Sequence, residues 1–296
     1  MTEILNILAV GLLLGGIYAL VSVGLNLIFG VIRVVNFAQG EFVMLGMYGA
    51  LAAQLALGLD PYLGAVLILP ALFALGCAVY WLILRPLQGE PMMQIFATFG
   101  LLMLIQNAVL AATGGVAFSA NSSLAVGSVS LGPVQVGTGR LIVLIAASVV
   151  TGGLAWYLRA TWHGKAIRAV AQDRAAAKLM GVNVQRIYTI SFGIGAALAG
   201  LAGCLLAPLY SMTPQIGINF ILPAFAVVVL GGLGSVAGAY LGGFVVGLTE
   251  AFSGYYLDPA LKHAVLFVVF IVVLVIRPQG LFGHAGAEEV GLRETS

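Results

Sequence analysis

The sequence predicts an all-α, polytopic membrane protein of about eight transmembrane helices. Three observations predict it. Of 296 residues, 61% are hydrophobic and only 7% are charged, where soluble domains carry about 25% charged residues. Mean hydropathy is +1.12, more apolar surface than a chain of this length can hide from water, so its solvent is lipid. The apolar runs are also about 20 residues long, the length a helix needs to cross a bilayer, and short loops separate them.

Taken in order, the predicted spans are 5–32, 36–57, 62–84, 93–113, 140–159, 186–207, 220–253 and 261–276. The first begins without the cationic n-region of a signal peptide, so it is expected to be retained. The seventh run is too long for one ordinary crossing. It breaks at Gly231-Gly232-Leu233-Gly234-Ser235, and reads either as a hairpin of two short helices or as one interrupted span. As a hairpin it places Arg33, Arg85, the window 159–186 and Arg277 on one side, and Asp60, Asp258 and Lys262 on the other. The positive-inside rule favours that arrangement, with the N-terminus outside. A single interrupted span would put both termini on the same side. Residues 1–283 thus form one transmembrane domain, and 284–296 a polar, fraying tail. The uncharged loop 114–139 reads as an ordered cap on the outer face. Cys77 and Cys204 lie in apolar runs and are expected to be buried free thiols.

The charge is unevenly placed. Arg159, Lys165, Arg168, Arg174, Lys178 and Arg186 are six of the twelve Lys and Arg residues, with Asp173 the single acid among them. Lys165 to Met180, bracketed by Gly164 and Gly181, is rich in helix formers. It reads as a helix or helix pair with Gly181 as its C-terminal stop. Ile167, Val170, Ala171 and Ala175 share a face, leaving Arg168, Gln172 and Lys178 exposed. Orientation alone requires fewer charges, so the loop reads as a docking surface.

Two further segments are polar where a span should begin. Asn36-Phe-Ala-Gln39-Gly40-Glu41 opens the second run, with Asn36 as a candidate helix cap and Gly40 permitting close backbone approach. A broken-helix N-terminus there would suit a substrate carboxylate. Glu41 is costly in lipid and is expected to face a partner or a wet cavity. In the second segment Ser235 is positioned to cap the helix after the glycine break. Asn36 and Ser235 thereby mark similar starts in the two halves, a weak internal repeat with both breaks near a shared pathway. Glu250 is read as a hydrated carboxylate near the outer mouth. Asn26, Gln54, Thr98, Gln106, Asn107 and Thr249 are read mainly as interhelical hydrogen-bonding groups.

The run Gly164 to Asp173, then Ala177-Lys-Leu-Met-Gly181 to Arg186, then Gly195-Ala-Ala-Leu-Ala-Gly200, resembles the coupling region of permease subunits of branched-chain amino acid ABC transporters. Val35 to Phe42 is similar to the family's first-half motif, with Gln39 where the family pattern has His. Val229 to Gly243 is similar to its second-half motif. The resemblance covers residues 5–283, and urea and short-amide permeases share these motifs. It implies a cytoplasmic coupling helix within 160–186, in which Gly164, Lys165, Arg168, Asp173, Arg174, Lys178, Gly181 and Arg186 meet an ATPase. It implies a substrate pathway near Asn36, Gln39, Gly40, Glu41, Gly231, Gly232, Gly234 and Ser235. The implied partners are a second, distinct permease subunit, two cytosolic ATPases, an extracytoplasmic substrate-binding protein and membrane lipid, with no nucleic acid. The implied location is the bacterial inner membrane. No cofactor is expected on this chain; ATP and Mg belong to the ATPases, since Gly164-Lys165 lacks the upstream glycine and following Ser or Thr of a phosphate-binding loop. The chain is therefore expected not to be an enzyme. A gradient-driven secondary transporter is the rival from another class; it would show paired intramembrane acids or ion-binding broken helices, whereas buried ionisable groups are few here and a cationic docking loop would have no use.

Overall fold

The computed structural model describes residues 2–131, 134–257, 261–277 and 279–283. Asp258, the His263 side chain and the tail from His284 lie outside these. Eleven helices are present among the described residues: α1 (Thr2–Ile32), α2 (Gln39–Leu57), α3 (Pro61–Val79), α4 (Pro91–Thr113), α5 (Thr138–Ala160), α6 (Trp162–Gln172), α7 (Arg174–Leu179), α8 (Val184–Leu206), α9 (Ile218–Gly231), α10 (Val236–Tyr256) and α11 (Lys262–Ile276). Seven are long and apolar enough to span a membrane, and Ile218–Gly231 and Ala264–Ile276 are shorter apolar helices. The fold is therefore nearly all-α. The loop after α4 adds what composition does not announce, a small antiparallel hairpin pairing Ser128–Leu131 with Val134–Gly137.

The run 220–253 is a hairpin. A side chain at Gly231 would collide with Gly238, and one at Gly242 would lie 2.9 Å from the Val227 carbonyl, so α9 and α10 pack antiparallel through glycine. Asn26 of α1 fixes the bend between them. Its Nδ2 donates to the Ser235 carbonyl at 2.6 Å and to the Gly232 carbonyl at 3.3 Å, and its Oδ1 accepts from the Gly234 N–H at 2.7 Å. Leu281 and Phe282 donate their N–H groups to the Leu230 and Gly231 carbonyls, which closes the last exposed carbonyls of α9.

Helix pairings repeat with a swap. The α1–break–α2–α3 unit and the α8–break–α9–α10 unit exchange partners: α1 packs antiparallel on α10, and α8 packs antiparallel on α3. Gly30 meets Gly234 and Gly15 meets Phe244 in the first pair; Gly200 meets Leu72 and Gly76 meets Ala196 in the second. α1 and α8 cross antiparallel at Gly24 and Gly195, where each backbone would be 2.8 Å from a side chain added to the other. These are inverted-topology repeats, related by a pseudo-two-fold axis in the membrane plane. The repeat inferred from sequence is real, but its equivalences differ. The break before α2 matches residues 207–217 before α9, and the 231–235 bend matches the short turn between α2 and α3.

All four basic regions fall at one end. Gly234 sits on Gly30 beside Arg33. Gln88, just past Arg85, exchanges side-chain hydrogen bonds with Gln185 at the start of α8. The strand-like pairing of 281–282 brings the Arg277 end to the same place. By the positive-inside rule this end is cytoplasmic. At the other end Asp60 caps α3, accepting from the Tyr62 N–H, and receives the Ser122 hydroxyl at 2.7 Å. Phe118 pairs with Met212, and Val136 packs against Leu13, so the uncharged loop is an ordered cap. Cys204 is buried, whereas Cys77 is only half-buried; both are free thiols.

Asn26→Leu removes three hydrogen bonds from the 231–235 bend. Polar contacts inside membrane bundles contribute about 0.6 kcal/mol each on average, so a loss of about 1–2 kcal/mol is expected, read as a lowered melting temperature of the purified protein in detergent.

Candidate functional site: a mid-membrane seam and a basic knob

The α2 start is not where a helix from the surface would begin. Gln39 Nε2 donates to the Gly195 carbonyl at 3.2 Å, and Gly195 is the midpoint of α8. The chain therefore leaves α1 at Arg33, held at φ +60°, and returns to mid-height before helix resumes. Asn36 guides that return without being the helix cap expected of it. Its Oδ1 accepts from the Ala38 N–H at 3.1 Å, an Asx turn, and its Nδ2 donates to Gln39 Oε1 at 3.1 Å. The N-cap position is taken by Ala38, which offers no side-chain bond. Asn36 sits two residues too early because the returning strand, not the helix, needs its amide.

α9 also begins at mid-height. A side chain at Gly40 would run into the Gly217 carbonyl, and one at Gly217 would lie 2.7 Å from the Gly40 backbone. Gly217 is the N-cap of α9, whose 14 residues span about 21 Å, short of a roughly 30 Å hydrocarbon core. Two interrupted helices thus present their N-termini to one another across a glycine–glycine seam.

Glu41 lies in that seam. It is 1% exposed, neither carboxylate oxygen has a hydrogen-bond partner, and a Cβ on Gly217 would stand 3.0 Å from its Oε1. An uncompensated buried carboxylate costs several kcal/mol, of which a helix N-terminus offsets up to about 2 kcal/mol. The α2 N-terminus, which the sequence suggests for a substrate carboxylate, thus carries the chain's own carboxylate in its first turn. Phe37, in the returning strand, packs on Phe225 at 5.4 Å between ring centroids and on Phe99 at 6.3 Å.

Gly231, Gly232, Gly234 and Ser235 are elsewhere. They form the bend at the cytoplasmic end of α1, so the structure does not bring them together with Gln39, Gly40 and Glu41. Ser235 does cap α10, accepting from the Gly238 N–H at 3.1 Å. Gly232 has φ +103°, and a Cβ there would strike the Gly283 backbone, so the glycine is required by the bend itself.

The basic window is two helices. Thr161 caps α6 through the Gly164 N–H at 3.0 Å, and a side chain at Gly164 would collide with the end of α5. α6 buries Ala166, Ile167 and Val170 and exposes Lys165, Arg168 and Gln172. Asp173 then stops it, with an extended backbone at φ −148° and ψ 105°. Asp173 caps α7 with bonds from Ala175 and Ala176 at 2.8 and 2.9 Å. The turn at Asp173 rotates Ala175 out of the face shared with Ile167 and leaves it exposed. At Gly181, φ +82°, the Val182 N–H returns to the Ala177 carbonyl and the Gly181 N–H to Lys178, a Schellman stop. Asn183 caps α8 through the Arg186 N–H at 3.0 Å. Arg174 lies 5.8 Å over the Tyr188 ring, and Lys178 and Arg186 are exposed. Leu179 and Met180 form an apolar tip, 88% and 84% exposed. Sequence reasoning passed over that pair because two apolar residues beside a glycine look like the end of a buried face.

Glu250 corrects a second expectation. It is 7% exposed, accepts from the Tyr18 hydroxyl and pairs with Lys262 Nζ at 2.8 Å. The group borders a cavity of about 420 Å³ lined by Glu3, Asn6, Val10 and Tyr255. Lys262, twelve residues on and across a loop, was out of register with any sequence motif.

An inverted repeat whose interrupted helices meet at mid-membrane, with a basic helical knob on the cytoplasmic side, defines a membrane transport protein of the permease class. The family model for the permease component of branched-chain amino acid transport systems matches residues 7–274, and the chain belongs to that family. It is 33% identical over 297 residues to the high-affinity branched-chain amino acid transport system permease protein LivH of Salmonella typhimurium, covering 95% of this chain and 96% of that protein. It is 32% identical over 294 residues to BraD of Pseudomonas aeruginosa, which carries the same description, with the same coverage. The ribose import permease protein RbsC of Escherichia coli is 28% identical over 270 residues, 86% of this chain and 79% of that protein. No solved structure matches.

Gly40→Leu places a branched side chain against the Gly217 backbone. Overpacking costs about 1–3 kcal/mol, and the seam cannot close around it; expected are a lowered melting temperature and loss of uptake. Lys262→Met leaves Glu250 buried without its cation, which should destabilise by about 1–3 kcal/mol after allowance for the part-exposed lysine, while Lys262→Arg retains most stability in the same melt.

Proposed function

We propose that this chain is a transmembrane subunit of an ABC importer that carries branched-chain amino acids inward across the bacterial inner membrane. ATP hydrolysis takes place in separate ATPase subunits, which hold ATP and Mg; a second, distinct permease subunit completes the pathway, and an extracytoplasmic binding protein delivers substrate. The observation that carries this reading is the α6–α7 knob. It stands at the cytoplasmic end, capped at Thr161, Asp173 and Gly181, and it ends in an exposed Leu179–Met180 pair next to α7, which also exposes Arg174 and Lys178. An apolar tip with a cationic rim fits a groove with an apolar floor and acidic walls. Family kinship with LivH and BraD supports the substrate class, since their printed descriptions name it.

The relation between knob and seam supports a coupled mechanism. α8 starts at the knob, passes the seam at its midpoint and packs on α2, while α9 packs on α1. A displacement of the knob therefore moves the helix on which α2 rests and, through the α1–α8 crossing, bears on the helix that holds α9. Gly164, Lys165, Arg168, Asp173, Arg174, Lys178, Gly181 and Arg186 serve the docking element, some by contact and Gly164, Asp173 and Gly181 by shaping it. Asn36, Gln39, Gly40 and Glu41 serve the pathway.

Purification of the intact membrane complex tests the assembly, and leucine uptake by vesicles reconstituted with and without the ATPases tests the drive. Uptake that persists without them would overturn the ATP-driven reading. Leu179→Asp with Met180→Asp should reduce ATPase co-purification by about tenfold or more, since each buries a charge in an apolar contact. Arg168→Glu should weaken it less. Both variants should keep the wild-type melting temperature, because these side chains are exposed.

A further inference from the structure

We infer that Glu41 is the group that receives the substrate's ammonium during translocation, and that the Gly40–Gly217 seam is where it does so. The inference rests on the transport reading above and adds the chemistry of one contact.

Four observations lead to it. Glu41 is fully buried with both oxygens unpartnered. Among the described residues no cation pairs with it, the one ion pair being Lys262–Glu250. Two helix N-termini converge there, one of them α2 with Glu41 in its first turn and the other α9, capped by the Gly217 that touches Glu41. Their partial positive charge stabilises a carboxylate in place but supplies no hydrogen bond to either oxygen. The fourth is the seam itself. Gly40 and Gly217 meet backbone to backbone, so α2 and α9 part without disentangling side chains.

These features select the ligand's charge. A substrate carboxylate would meet Glu41 as a like charge in a low-dielectric setting and would be repelled. An ammonium would bring up to three donors to two oxygens that have none. An amino acid presents that ammonium beside its apolar side chain, and Phe37, Phe99 and Phe225 provide an aromatic wall next to the seam. The contact is transient by design: Glu41 is buried when the seam is closed and binds only while α2 and α9 are apart.

The test uses the complete complex with its second permease subunit, ATPases and binding protein, reconstituted in lipid, as wild type, Glu41→Gln and Glu41→Asp. Glu41→Gln keeps the shape and removes the charge. Expected is a fall in leucine uptake of about tenfold or more, the scale of losing a buried charge partner. Glu41→Asp should recover part of the uptake. Infrared difference spectra on adding leucine under turnover should show a carboxylate band that is absent from Glu41→Gln and shifted in Glu41→Asp. Normal uptake by Glu41→Gln, or a wild-type spectrum indistinguishable from that of Glu41→Gln, overturns the inference. Should Glu41→Gln fail to assemble, an unshifted band in Glu41→Asp overturns it equally. A wild-type complex that takes up no leucine overturns the transport reading instead, which separates the two failures.

Discussion

Interrupting a helix inside a bilayer leaves backbone donors and acceptors where no lipid can satisfy them, and the rest of this structure follows from how two such interruptions are managed. The first, before α2, is held by Asn36 and by Gln39, whose amides occupy the backbone and side-chain groups of the returning strand and reach the Gly195 carbonyl. The second, before α9, closes in tight turns from Gln215 to Ile221. Each interruption is buried against the other repeat's central helix. Non-helical backbone survives at this depth because protein surrounds it.

That solution explains the glycines. With 40 among 296 residues, small side chains are needed wherever backbones approach, and they concentrate on the α1–α10, α2–α8 and α3–α8 faces. Gly46 and Gly203 bring α2 and α8 so close that a side chain on either would strike the other's backbone. In lipid, association gains little from hiding apolar surface and depends on such close packing. The lipid-facing surfaces of α3, α4 and α11 carry large exposed apolar residues instead, among them Leu63, Phe96, Leu104 and Val275.

The sequence made the helical spans legible because lipid imposes a length and a composition on each. It also made the gathering of the basic segments at one end legible, since charge is scarce and is concentrated at Arg33, Arg85, Arg277 and the 159–186 window. The knob was readable from propensity and from Gly181, though its division at Asp173 was not, because an aspartate inside an alanine-rich run reads equally as an exposed helix residue or as a cap. Pairings between distant residues were not legible. Gly217 lies 177 positions from Gly40 in a loop without any motif, and the symmetry between Asn36 and Ser235 was persuasive because both precede a glycine-containing helix. Only the exchange of partners between repeats shows that Asn36 corresponds to the chain before Gly217. Glu41 stood out early as an acid in an apolar run; its lack of any partner is a fact of packing.

The knob and the seam are joined by a continuous series of packed rings. Arg174 of α7 lies over Tyr188; Tyr188 meets Tyr80 edge-on at 6.1 Å, Tyr80 meets Phe192 at 6.5 Å, and Phe192 meets Phe42 at 6.1 Å. Phe42 is the neighbour of Glu41. All four rings are buried, and Tyr80 sits in a π-helical turn, residues 80–84, that wraps the end of α3 toward α8. Tyr80 is pinned further by Gln185, which accepts its hydroxyl at 2.9 Å. Close-packed interiors have few voids and yield by switching between discrete arrangements rather than by compressing. A tilt of α7 that carries Arg174 with it therefore either breaks the contact with Tyr188 or shifts the whole series, and the last ring in that series belongs to the residue next to Glu41 in the first turn of α2, where the two interrupted helices touch.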